Sequence, residues 1–373
     1  MKTILTLAAT LLLAYGSTAA PNAVPACDDT GTVVHTAKPR RVKGSERLVT
    51  RDLGRIGAYE VLYVSDGIEA VVSAAVSTLV ITADDNVIDR IVTRSDGKRL
   101  TMRIDARSIT DCTVRAVIPA SAALRTLEAE SMGTIRCEVP LGNGPGPVTV
   151  RSSEGSRIAA DIRTGDDIRV HVSGCSRFEG ALKGNNCKIS VTEGSVFDAP
   201  FTCKVHGEIL LDASSRFAGD ASAGNSLHIK LTNGSVMHGN TDATVILVHT
   251  AASSRYEGNI SAEGQAEMKS TDGSAIAGAF AGGHIYAVST ASSRIALTGS
   301  TPVPSAVIEV ASGSRFSAPA LPLRNCSVTA TSSGHAEVRC TGELLATTSS
   351  GGTVFYNDDC RVTTNNPYVR KQD

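Results

Sequence analysis

Tryptophan is absent from this 373-residue chain, and phenylalanine and tyrosine together make up only 4% of it. A core built around bulky aromatic residues is therefore excluded, and narrow, repetitive interiors are favoured. Excess charge is lacking too, since 36 Lys and Arg face 37 Asp and Glu for a formal net charge of -1. No basic field points to nucleic acid, and no acidic tail suggests a solvating segment. Beyond the N-terminus no segment approaches the ~20 apolar residues of a transmembrane helix. The nine cysteines include no C-x-x-C and lack zinc-site spacing. H-E-x-x-H and G-x-S-x-G are missing as well, which removes the usual signatures of a zinc peptidase and of a serine-hydrolase elbow.

What is present begins with Lys2, an apolar stretch from Ile4 to Tyr15, and the small residues Ser17, Thr18 and Ala19 ahead of Pro21. This layout predicts a cleaved secretory signal over residues 1–19, with the mature chain starting near Ala20. The expected location is the periplasm or the cell surface, and lipoprotein anchoring through Cys27 is the lesser alternative. Export permits disulfides, and an odd number of cysteines leaves one over. Cys27 is the natural leftover. Cys340 with Cys360, Cys112 with Cys137, and Cys187 with Cys203 are candidate pairs.

A period runs through the rest of the chain. Ser156, Ser176, Ser195, Ser215, Ser235, Ser254, Ser274, Ser293 and Ser314 are separated by 20, 19, 20, 20, 19, 20, 19 and 21 residues, and self-similarity at this spacing signals a solenoid. Two residues after each serine stands an apolar side chain: Ile158, Phe178, Phe197, Phe217, Met237, Tyr256, Ile276, Ile295 and Phe316. This column is expected to point inward and stack. Glycines recur at Gly180, Gly219, Gly239, Gly258 and Gly278, where the chain is expected to bend too tightly for a side chain. Ahead of the serines, apolar residues alternate with period two, as in Ile168, Val170 and Val172, which predicts strands with one buried face. Twenty extended residues trace a path of roughly 65 Å, enough for one coil of two or three short strands stacked on the next at ~4.8 Å.

The fold class predicted is all-β, a single-stranded parallel β-helix with ~20-residue coils. After the signal, residues 20–46 form a tether containing a Lys/Arg cluster from Lys38 to Lys43. Residues 47–145 are expected to build irregular first coils, 146–345 regular ones, and 346–373 a capping segment. The capping segment is expected because an uncovered rung invites polymerisation. Between serine and apolar column, Arg216, Arg255 and Arg294 alternate with Val196, Val236 and Ala275. In these middle rungs like charges stay two rungs apart, as a structural row requires, while Arg157/Arg177 and Arg294/Arg315 break the alternation at the two ends.

Residues 47–105, "RLVTRDLGRIGAYEVLYVSDGIEAVVSAAVSTLVITADDNVIDRIVTRSDGKRLTMRID", are followed by "VRAVIPASAALRTLEAESMGTIRC" and end in "GELLATTSSGGTVFYNDDC". In that order they resemble the putative auto-transporter adhesin, head GIN domain family, over roughly residues 45–371. The resemblance implies a right-handed β-helix on an exported bacterial protein and implies no activity. Auto-transport is not expected, because no translocator barrel follows the repeats.

For catalysis the residues offer little. The paired acids Asp84-Asp85, Asp166-Asp167 and Asp358-Asp359 read as turn residues, since adjacent side chains on a strand point to opposite faces. A carbohydrate-active enzyme on the same scaffold would need two convergent acids, and it remains the alternative to a non-catalytic envelope protein with an adhesin-like or structural role. No cofactor and no metal are expected. Asn233, Asn259 and Asn325 sit in N-x-S sequons, which carry no weight in a bacterial protein. One outward column, Arg151, His171, Lys230, His249 and Lys269, interrupted by Ser190 and Leu210, forms a cationic strip. It is the candidate ligand face for a glycan or another envelope component, against the plainer reading of a solvated sheet face that deters edge pairing.

Overall fold

The computed structural model describes residues 41–106, 108–364 and 366–372. The expected signal, Cys27 and all of the tether before residue 41 lie outside the described residues. The chain winds as a β-solenoid of about 12 turns, with no α-helix among the described residues. Each regular coil has three sides. On the first, face A, Val148–Ser152, Ile168–Val172, Cys187–Val191, His206–Leu211 and Ser226–Leu231 stack in parallel register. Face B stacks Arg157–Ala159, Arg177–Glu179, Val196–Asp198 and Arg216–Ala218. Face C stacks Ile162–Arg163, Leu182–Gly184, Phe201–Cys203 and Ala221–Ala223. At the N-terminal end the stack adds antiparallel strands: Leu48–Asp52 on Val80–Asp84, the latter on Val114–Pro119, and Ile91–Ser95 on Arg99–Ile104.

Between faces A and B lies a turn whose two central residues both have positive φ. The pairs include Glu154 (55°) and Gly155 (73°), Asn233 (53°) and Gly234 (74°), and Ala252 (51°) and Ser253 (61°). Left-handed conformations at both central positions define a type I′ turn, for which Asn-Gly and Asp-Gly are the favoured pairs. Ala-Ser has no such preference, and its strain must be held by the surroundings. That hold comes from the neighbouring turns, because the turn peptides bond to one another. Ser214 N donates to Asn233 O at 2.9 Å, Gly234 N to Ala252 O at 2.9 Å and Ser253 N to Asp272 O at 3.0 Å.

The serine leaving each turn is buried: Ser156, Ser176, Ser195, Ser215, Ser235, Ser254, Ser274, Ser293 and Ser314 are at most 2% exposed. A buried hydroxyl is costly unless paired, and the structure supplies partners for most of them, with Ser254 Oγ left without one. Ser156 N donates to Ser176 Oγ and Ser176 N to Ser195 Oγ, both at 3.1 Å. In several coils a second buried hydroxyl sits four residues earlier, so that Ser152 lies 2.8 Å from Ser156, Ser270 2.9 Å from Ser274, and Ser289 2.9 Å from Ser293. Where that earlier position is Leu, the serine turns to its own turn instead, and Ser235 Oγ donates to Thr232 O at 2.7 Å.

Inside, the expected apolar column is present, and all nine of its members from Ile158 to Phe316 have 0% exposure. Phe178, Phe197 and Phe217 stack with centroids 5.1 and 4.9 Å apart and planes within 18° and 9°. The rung spacing dictates this near-parallel geometry, and each such ring contributes roughly 1.5–3 kcal/mol by burial. Tyr256 continues the column with a hydroxyl that meets Thr241 Oγ1 at 2.9 Å. Burial raises its phenol above the ordinary value.

At the corner between faces B and C the backbone closes on itself. A Cβ on Gly258 would stand 1.9 Å from Gly239 O, and one on Gly278 1.8 Å from Gly258 O, so only glycine fits. Beside these glycines an amide ladder links coils: Asp220 Oδ1 accepts from Asn240 N at 2.8 Å, Asn240 Oδ1 from Asn259 N at 3.1 Å, and Asn259 Oδ1 from Ala279 N at 3.2 Å.

Two substitutions test this packing. Phe197→Ala should destabilise the chain by about 3–5 kcal/mol in chemical denaturation, and a loss below about 1 kcal/mol would be incompatible with a filled ring column. Gly258→Ala forces a backbone clash and should abolish the cooperative unfolding transition seen by circular dichroism, whereas Gly57→Ala, with open space around it, should leave it in place.

Candidate functional site

Face B carries the arginine row, and the stack gives three of its six members, Arg157, Arg177 and Arg315, carboxylate partners on a neighbouring coil. Arg157 Nη2 reaches Glu179 at 2.6 Å, Arg177 bridges Glu179 and Asp198 at 2.5 Å each, and Arg315 meets Glu337 at 3.2 Å. The two arginines hold Glu179 below the usual carboxylate range, Arg157 first. This is an ion-pair ladder across coils, consistent with a structural row.

The paired acids are each engaged separately. Asp84, 1% exposed, accepts Glu46 N and Thr113 N at 2.7 Å each, while Asp85 accepts Ser45 Oγ at 2.5 Å. Asp166 accepts Gly146 N at 2.7 Å and Asp167 accepts Asn186 Nδ2 at 2.8 Å. Asp358 meets Arg339 at 2.8 Å, and Asp359 is paired with Lys371. Among the described residues no group of three His, Cys, Asp or Glu is arranged to hold a metal ion.

The eight described cysteines are free thiols. Cys187 and Cys203 lie on adjacent coils, and the Cys203 thiol together with burial raises Cys187 above its ordinary value. Burial, with Cys340 next to it, pushes Cys360 up to about 12. Cys137 is pushed to about 12 by burial alone. Cys112 lies elsewhere, its thiol 3.3 Å from Thr110 O.

Face A gathers the sequence-predicted cations. Register places Arg151 beside His171, His171 beside Ser190, Ser190 beside Leu210, Leu210 beside Lys230, Lys230 beside His249, and His249 beside Lys269. All five therefore share one outward column, in two blocks separated by Ser190 and Leu210. Carboxylates temper it, Glu128 from the same column one coil before Arg151 and Glu267 from the neighbouring column. Arg151 meets Glu128 at 3.1 Å, and Glu267 takes Lys269 at 2.5 Å and His249 at 3.4 Å. Lys269 holds Glu267 below the carboxylate range, and desolvation lowers His249 below the ordinary histidine value.

The neighbouring outward columns on face A were not singled out by sequence reasoning, because their members lie on different coils and share no residue type. Arg169, Lys188, Glu208 and His228 follow one another in register. With Asp167, Asn186, His206 and Ser226 they line a shallow groove of about 340 Å³. Toward the C-terminal end the same face turns apolar, with Val307 42% and Leu345 52% exposed.

A long, flat-sided β-solenoid with polar residues in register on one face defines the class of this protein. The chain belongs to the family described as putative auto-transporter adhesin, head GIN domain, whose model matches residues 58–238 and 223–359. Among solved structures it is similar to a putative adhesin from Parabacteroides distasonis, at 15% identity, 89% coverage of this chain and 97% of that one, with a TM-score of 0.30. It is also similar to a putative adhesin from Bacteroides fragilis, at 14% identity, 76% and 99% coverage and a TM-score of 0.32. A third likeness is to a putative lipid binding protein from Parabacteroides distasonis, at 14% identity, 85% and 99% coverage and a TM-score of 0.30. No curated protein matches the chain. No helix among the described residues is long and apolar enough to cross a membrane.

Both ion-pair arrays yield tests. Arg177→Ala removes exposed pairs and should cost no more than about 1 kcal/mol by urea denaturation. Glu267 has a depressed folded pKa, so its contribution is present above the ordinary carboxylate range and is lost as pH falls through the depressed value. Glu267→Gln should therefore be less stable than the parent at pH 7, by about 1 kcal/mol or less. The two unfolding curves should converge in strong acid.

Proposed function

We propose that this chain is an exported, non-catalytic envelope or surface protein that uses face A as an adhesin-like binding surface. Membership of the adhesin family supports the reading, and the observation that carries it is the in-register array of outward polar residues on that face. Main-chain bonding fixes the spacing of those residues, so the surface is pre-organised and loses little entropy on contact. Arg151, His171, Lys230, His249 and Lys269 form the rim through which an anionic glycan or envelope component is engaged. The acids that a hydrolase or lyase would need to converge are occupied singly in turns and ion pairs, which favours binding over cleavage.

Protease shaving of intact cells tests the display. Peptides from residues 41–372 should be released without permeabilising the envelope, and the N-terminus of the mature chain should read from near Ala20. Protection until permeabilisation would overturn the surface reading and leave a periplasmic protein.

A further inference from the structure

The groove on face A is built more elaborately than a solvated sheet requires. Its outer row is a chain of hydrogen bonds running along the solenoid axis. Asn186 Nδ2 donates to Asp167 Oδ1 at 2.8 Å, Asn186 Oδ1 accepts His206 N at 3.2 Å, and His206 Nδ1 meets Ser226 Oγ at 2.7 Å. These contacts fix side chains that would otherwise be mobile. In the inner row Lys188 pairs with Glu208 at 2.7 Å, while Arg169 has no carboxylate within salt-bridge distance among the described residues. His228 closes the row, edge-on to His249 at 5.5 Å. Its Nε2 is enclosed and has no hydrogen-bond partner, a costly state for a buried polar atom.

Three features decide what would fit. Donors and acceptors alternate, which suits hydroxyl groups, since each hydroxyl both donates and accepts. The rows repeat at the strand spacing of ~4.8 Å, comparable to the advance of one pyranose in an extended glycan. Arg169 with the adjacent His171 at one end of the groove, and Lys230 beside His228 three coils on, supply donors for carboxylates. We propose that this groove binds an extended, uronate-bearing polysaccharide lying along the solenoid axis with one sugar per coil, a carboxylate on Arg169 and a sugar packed against the His228 ring three coils on. The proposal rests on face A being the binding face and names its ligand class.

Isothermal titration of the purified mature chain with oligogalacturonate, beside neutral dextran, tests it. Saturable binding to oligogalacturonate alone is expected. Arg169→Ala and His228→Ala should each weaken it about tenfold, the loss of one charge-assisted hydrogen bond and of one ring contact respectively. Arg294→Ala on face B should leave it unchanged, with circular dichroism confirming the fold of each variant. No saturable binding, equal binding of dextran, or affinity untouched by the two face A variants would overturn the proposal. Because this uses purified chain, it can fail while shaving succeeds, and shaving can fail while it succeeds.

Discussion

Main-chain hydrogen bonding from each coil to the next, continued without interruption through the type I′ turn, is the constraint on which the molecule depends. Strands alone would fix the spacing along the three faces. Because the turn peptides also bond to one another, as Gly194 N does to Ala213 O at 2.9 Å, a corner cannot slip without breaking a ladder. This explains how Ala213-Ser214 and Ala252-Ser253 can hold left-handed backbone at both central positions. Isolated, such turns would open; stacked, each is a template for the next.

Everything inside follows from that spacing. At one rung separation, phenyl rings have room only to lie nearly parallel, and Phe178, Phe197 and Phe217 do so. Several of the buried serines are satisfied for the same reason, since Ser176, Ser195 and Ser314 each accept an N–H from the coil beside them. Where the ladder changes chemistry, as at Tyr256, a compensating hydroxyl from Thr241 appears on the facing wall. The glycine corner shows the opposite limit, where carbonyls approach too closely for any Cβ.

Outside, the same register turns distant residues into arrays. A residue and its counterpart about twenty positions on become neighbours at strand spacing. Face B uses this for ion pairs that offset the repulsion of stacked arginines. Face A spends it on a row of fixed hydrogen-bonding groups. Both faces pair some of their charges across coils and leave others alone: Arg216 and Arg294 on face B and Arg169 on face A have no salt-bridge partner among the described residues, and face A encloses an unsatisfied nitrogen on His228.

Period, strand alternation, the inward Ile/Phe column and the glycine corner were all determined by the sequence alone, because each depends on local sterics repeated at a constant interval. The cationic column of Arg151, His171, Lys230, His249 and Lys269 was legible for the same reason. Pairing was not. Asn259 read only as a sequon until Asn240 stood one rung below it, and Ser270 was one small residue among many until Ser274 met it in the interior. Glu179 became a partner of Arg157 only through stacking. The groove of Asn186, His206, Arg169 and His228 belongs wholly to the tertiary structure. Its members come from different coils and share no motif, and only the exact rise and register of the solenoid bring them to one surface.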